Sequence, residues 1–156
     1  MLTIKQTLID KMIAHAQREY PIEACGIIAG HKHSNRPARF IAFENAANSD
    51  CFFLFDSKQQ LNVWREMEQN NEEAIVIYHS HTQSVAYPSP SDIEAAMEPQ
   101  AHYVILSMVQ NIDEVIRSFR IVNHKVTEER IHVVSDYSLG VTTSAHCSDS
   151  YSITST

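Results

Sequence analysis

At 156 residues, with a formal net charge of −7, a pI near 5.6 and 44% hydrophobic residues, the chain is sized for one domain that buries about two thirds of the surface its unfolded form exposes. The acidic balance argues against a phosphate-backbone binder and leaves a basic protein surface as an electrostatic partner. Cys25, Cys51 and Cys147 are odd in number and form no C-x-x-C pair, the amino terminus lacks a signal-peptide core, and no apolar run reaches membrane-spanning length, so a cytoplasmic protein without a membrane or nucleic-acid partner is expected.

Ile4, Leu8, Ile9, Met12 and Ile13 recur at helical spacing and predict an amphipathic helix running to about Glu19, where Tyr20-Pro21 stops it. Glu23 follows at once. Ala24 to Gly30 reads as a buried strand whose glycines let other backbone approach closely, and Arg39 to Glu44 returns as its partner. A polar turn from Asn45 to Asp50 leads into an expected third strand, Cys51 to Phe55. Ser57 is the expected cap of a helix through about Glu68 that carries Leu61, Trp64 and Met67 inward. Further strands are expected at Ala74 to His81, Ala101 to Met108, Val115 to Val122 and Val126 to Val134, with a short helix opening at Asp92. The sum is an α/β fold, a mixed central β-sheet flanked by helices. Residues 1–137 read as the domain, and 138–156, rich in Ser and Thr and poor in large apolar side chains, as a flexible tail.

The strand ending in His79-Ser-His81 carries the chemistry. Side chains two apart on a strand share a face, so the two imidazoles point the same way. A polar loop stiffened by Pro88 and Pro90 then returns Asp92 to the strand end with less entropy to lose. Two imidazoles and one carboxylate leave a coordination position open, as a catalytic metal needs, and zinc suits those donors. An anionic ligand makes a bound water less acidic, so a separate proton acceptor is useful. Glu23, in the helix-to-strand connection, fits that role, and Ser89 can donate to a developing oxyanion. Each residue also has a plainer reading. Ser89 with Asp92, and Ser91 with Glu94, fit helix capping boxes, and Glu23 standing alone would be a solvated loop acid.

The chain contains an internal control. His31-Lys-His33 repeats the spacing, with Glu44 at the offset from His33 that Asp92 has from His81. Lys32 and Arg36 add charge that opposes a cation, and Gly30, Ser34, Asn35 and Pro37 mark a turn, so this pair is read as a solvated hairpin tip.

Together, Glu23, His79-Ser-His81, Ser89 and Asp92 resemble the JAMM signature of MPN-domain metalloproteases: a glutamate, then His-x-His, ten residues and an aspartate, with a serine three before it. Pro21 to Gly30, Tyr78 to Thr82, Ala86 to Ser89, Glu98 to Ser107, Arg117 to Ile121 and Thr127 to Glu129 are similar to the small bacterial, stand-alone members, so the likeness covers residues 1–137. It implies the MPN/JAB, cytidine-deaminase-like fold, zinc (Zn2+) held by His79, His81 and Asp92, Glu23 as general acid/base and Ser89 as oxyanion partner. Within that group the chain is similar to Mec-type enzymes, which release cysteine from the C-terminal glycine of a small ubiquitin-like sulfur carrier protein. The implied partner is a carrier with an extended Gly-Gly tail that adds beside an exposed strand. Other members trim extra residues from a carrier or cleave ubiquitin-like isopeptide bonds, and no residue here separates those options. The carrier's identity and homodimer formation are left open by the sequence.

Three rival readings are weaker. A metal-free MPN scaffold that only holds partners together typically lacks ligands, whereas all five positions are filled here. A RadC-like DNA-repair role conflicts with the acidic balance. A cysteine hydrolase built on Cys25 is disfavoured because that residue opens a buried-looking strand and reads as packing.

Overall fold

A computed structural model describes residues 1–110 and 115–137; the expected tail, with Cys147, lies outside the described residues. The chain runs β1 (Leu2–Lys5), α1 (Gln6–Glu19), β2 (Cys25–His31), β3 (Arg39–Phe43), α2 (Ser57–Gln69), β4 (Glu72–His81), α3 (Pro90–Ala95), β5 (His102–Ser107), β6 (Ile116–Val122), β7 (Lys125–Glu129) and β8 (Ile131–Val134). Among the described residues, six strands form one mixed sheet in the order β3-β2-β4-β5-β6-β7, in which only β4 and β5 are parallel, and β1 pairs with β8 in a separate two-stranded sheet. Among the described residues no helix is long and apolar enough to cross a membrane.

Alternation along the strands divides the core. Val76 and Tyr78 of β4 and Val104 and Leu106 of β5 pack with Leu8, Ile9 and Met12 of α1 and with Leu2 and Ile4 of β1. Ile77, Tyr103, Ile105, Phe119 and Ile121 join Val63 and Met67 of α2 in the second cluster. Gly26 lets β2 sit tightly in the sheet, since a Cβ there would come within 2.5 Å of the Ile41 carbonyl and the Tyr78 hydroxyl. At Gly30 the Arg36 carbonyl presses equally close, as expected for this turn.

Four sequence expectations shift. Ile4 belongs to β1 and not to the first helix: Leu2 and Ile4 are both fully buried with period two, while Ile4 and Leu8 also satisfy helical spacing, so periodicity alone was ambiguous. Cys51–Phe55 is no ladder strand, making only an isolated bridge from Phe55 to Asn45. Asp56, and not Ser57, caps α2, its carboxylate accepting from the Gln59 N–H at 2.8 Å; Val63 takes the inward place expected of Leu61, which is half exposed. The last predicted strand splits at Arg130, β7 staying in the main sheet and β8 turning to β1.

Candidate metal centre and active site

His79 and His81 end β4, where β5 runs parallel beside it, and Asp92 enters from α3. The three donor atoms converge: the Nε2 atoms of His79 and His81 are 3.0 Å apart, and Asp92 Oδ2 lies 3.2 Å from the first and 3.3 Å from the second. Ligands about 2.0–2.1 Å from a tetrahedral zinc stand about 3.3 Å from one another, so this triangle is close to one face of such a coordination shell. The group can hold a metal ion.

Local structure explains the aim of each donor. His81 Nδ1 lies 2.8 Å from the Val85 carbonyl, which can only accept, so Nδ1 carries the proton and Nε2 presents a lone pair to the site. The His79 ring stacks on Phe53 at 4.5 Å between centroids. Capping and ligation, which compete in the sequence, coincide in the structure. Ser89 caps α3 by accepting from the Asp92 N–H at 3.2 Å, and the Ser89 N–H returns a 2.7 Å bond to the same Asp92 Oδ2 that faces the imidazoles. The capping box thus fixes the carboxylate's direction. Ser89 Oγ also lies 3.0 Å from Ser91 Oγ, and its hydroxyl can still donate.

In the metal-free protein the charges on the three donors are set by burial and by one another. Burial holds His79 below the usual imidazole range and therefore neutral. Burial lowers His81 too, but its bonds to Asp92 and the Val85 carbonyl outweigh that and raise it. Asp92 is pushed up by burial and pulled further down by the two histidines, ending well below the usual carboxylate range.

Glu23 lies just before β2, whose register pairs Cys25 with His79 and continues through the Ser80 N–H to Ala24 carbonyl bond, so Glu23 comes level with His81 across the ladder. It is 4% exposed. Burial raises its carboxyl to about 7, against the charge of His81 and with help from Asp92 and Asp50. All five sequence-predicted residues are therefore brought to one end of the sheet. The His31/His33 pair is not part of this group: both side chains are exposed, Lys32 pairs with Glu68 at 2.9 Å, and Glu44 faces solvent. Cys25 is fully buried, its thiol pushed up to about 12 by burial and the nearby carboxylates of Glu23 and Glu19, so it is packing and no nucleophile.

A cavity of about 200 Å³ opens from His79 and Asp92 between α2, α3 and the sheet, walled by Phe53, Leu54, Trp64, Met97 and Tyr103 among others. Two further groups escaped the sequence reading. Asn45, read only as a turn residue, donates to the Glu23 carbonyl. His102, buried in β5, is paired through Nδ1 with Glu129 of β7 and through Nε2 with Asn35 Oδ1 at 2.9 Å. No local pattern announces the Asn45–Glu23 bond or the His102 pairs, because those partners lie 22 or more residues along the chain.

Residues 5–122 match the family of prokaryotic homologs of the JAB domain. The chain is 48% identical over 137 residues to the CysO-cysteine peptidase of Mycobacterium tuberculosis, covering 88% of this chain and 94% of that one. It is 28% identical over 103 residues to the desampylase of Haloferax volcanii, covering 63% and 74%. The fold matches the crystal structure of AF2198, a JAB1/MPN domain protein from Archaeoglobus fulgidus, with a TM-score of 0.54 at 17% identity over 86% of this chain and 97% of that one. The chain belongs to the prokaryotic JAB-domain family and is a hydrolase of the JAMM type.

Proposed function

We propose that the chain is a zinc peptidase that hydrolyses the amide bond after the C-terminal Gly-Gly of a ubiquitin-like sulfur carrier protein and releases cysteine or another C-terminal residue. The observation that carries this reading is the triangle of His79, His81 and Asp92 beside a buried glutamate whose carboxyl ionises near neutral pH. Zinc, when bound by these three residues, supplies a Lewis acid for the carbonyl and the attacking water. Glu23 takes the proton released as water attacks and passes it to the departing amine, a task matched to a carboxyl near 7. Ser89 donates to the carbonyl oxygen as charge develops there. The likeness to a CysO-cysteine peptidase over nearly all the described chain supports a carrier conjugate with a small leaving residue.

The carrier tail has a natural seat. In the extended segment 52–55 the Leu54 N–H and Phe52 carbonyl bond to the Asn45 side chain, while the main-chain groups of Phe53, which alternate to the other edge, have no partner among the described residues. A tail pairing there would complete the strand expected at Cys51–Phe55 and run beside the cavity to His79.

The test uses a purified carrier–cysteine conjugate with product masses read by mass spectrometry. Zinc-loaded wild type should release free cysteine, Glu23→Gln should lose at least about a hundredfold in kcat with zinc retained, and Asp92→Asn should lose the metal itself. Undiminished turnover by chelator-treated enzyme would remove the basis of this reading.

A further inference from the structure

One half-buried side chain joins the two working parts of the site. The Asn45 amide nitrogen donates to the Glu23 carbonyl at 3.0 Å and to the Phe52 carbonyl at 2.9 Å, with a longer contact of 3.5 Å to the Ser49 carbonyl. Its Oδ1 accepts from the Ala47 N–H at 3.0 Å and the Leu54 N–H at 3.1 Å. An amide offers two donor hydrogens and two acceptor lone pairs, so this side chain is fully used. The Glu23 N–H is held in turn by the Ser49 carbonyl at 3.0 Å. Glu23 precedes β2, so both its main-chain groups end on the loop from Asn45 to Ser49 and not on the sheet ladder. The far side of the loop is anchored next to His81, where Thr82 Oγ1 donates to the Asp50 carbonyl at 2.6 Å and Gln83 Nε2 to Asp50 Oδ2 at 3.0 Å.

We propose that Asn45 is a positioning residue, holding Glu23 and the Phe52–Phe55 edge in one fixed relation, so that a substrate segment laid along that edge meets the proton carrier in register. The consequence for rate rests on the function proposed above; the coupling itself belongs to the free protein. Misplacing a reacting group by about 1 Å can cost on the order of a hundredfold. The donor and acceptor halves of the Asn45 amide can be cut separately. Asn45→Asp keeps an acceptor for the Leu54 and Ala47 N–H groups but turns an oxygen toward the Glu23 and Phe52 carbonyls, while Asn45→Ala removes every bond.

Two readouts test the proposal. Amide hydrogen exchange on the metal-free protein should show both the Glu23 and Leu54 N–H groups speeding up at least about tenfold in N45A, but Glu23 alone in N45D. On zinc-loaded enzyme with the carrier–cysteine conjugate, N45D should lose about 30- to 100-fold in kcat with KM within about threefold of wild type, and N45A should raise KM as well. Unchanged Glu23 exchange and kcat in N45D would overturn the proposal. So would loss of folding or of zinc in both variants, because Asn45 would then be part of the frame. A wild type inactive on every carrier conjugate would sink the function and leave the exchange result to decide the coupling.

Discussion

A carboxyl group that is 4% exposed, beside Asp92 and Asp50, parts with its proton only near pH 7, and this makes Glu23 a cost to the fold as well as a tool. Its ordinary value of 4.5 is raised in the folded state, so its share of stability is complete below pH 4.5 and is lost as pH rises through about 7. Above that, the buried carboxylate costs the metal-free protein up to about 3 kcal/mol. Metal-free Glu23→Gln should therefore unfold at the same urea concentration as wild type near pH 4.5 and at a higher one near pH 8.5; a difference that ignores pH would contradict this. At this scale the sequence is highly legible where chemistry follows local spacing. The His79/His81 pair follows from the two-residue period of a strand and the return of Asp92 from the proline-stiffened loop, whereas the capping box with Ser89, a rival to ligation in the sequence, is what aims the carboxylate. The link from Asn45 to Glu23 is illegible for the opposite reason, since it spans 22 residues.

Among the elements, the β5–β7 tie is a buried polar cross-link away from the site. Glu129 accepts from His102, from the Met1 amine at 2.8 Å and from Ser118 Oγ at 3.0 Å, so one carboxylate joins β5, β6, β7 and the start of β1. Burial raises its carboxyl, but these donors outweigh that and hold it at about 2. The folded value is depressed, so the stabilisation is present above pH 4.5 and is lost as pH falls from there toward 2. Glu129→Ala leaves His102 Nδ1 and Ser118 Oγ without their shared acceptor and should cost about 1–3 kcal/mol in urea unfolding at neutral pH, the cost shrinking at acid pH. A variant within about 0.5 kcal/mol of wild type would show the tie to be ornamental. Order and type of most elements can be read from hydrophobic period. Two errors share a cause: β1 and the 51–55 segment are each decided by what lies beside them. Leu2 and Ile4 become a strand because β8 is there to pair, whereas Cys51–Phe55 fails to become one because the Asn45 side chain takes the bonds a neighbouring strand would take.

For the molecule as a whole, the three donors come from two elements that share few other contacts, so an ion held by β4 and α3 should stabilise the native state alone. At a free zinc concentration a hundred times its dissociation constant the gain is about 2.7 kcal/mol, or roughly 5–10 °C in Tm for a domain of this size. Differential scanning fluorimetry of stripped protein should show that rise for wild type and none for Asp92→Asn; an equal rise in both would place the ion elsewhere. Alternation along β4 has a longer reach. Ile77 and His79 look toward α2, whereas Val76 and Tyr78 look toward α1, where the Tyr78 hydroxyl meets His15 Nδ1 at 2.7 Å. The imidazoles are therefore separable from the face that braces the strand. Replacing either histidine should therefore leave the α1-facing packing of Val76 and Tyr78 in place, so that whatever such a variant loses is lost on the opposite side of the strand.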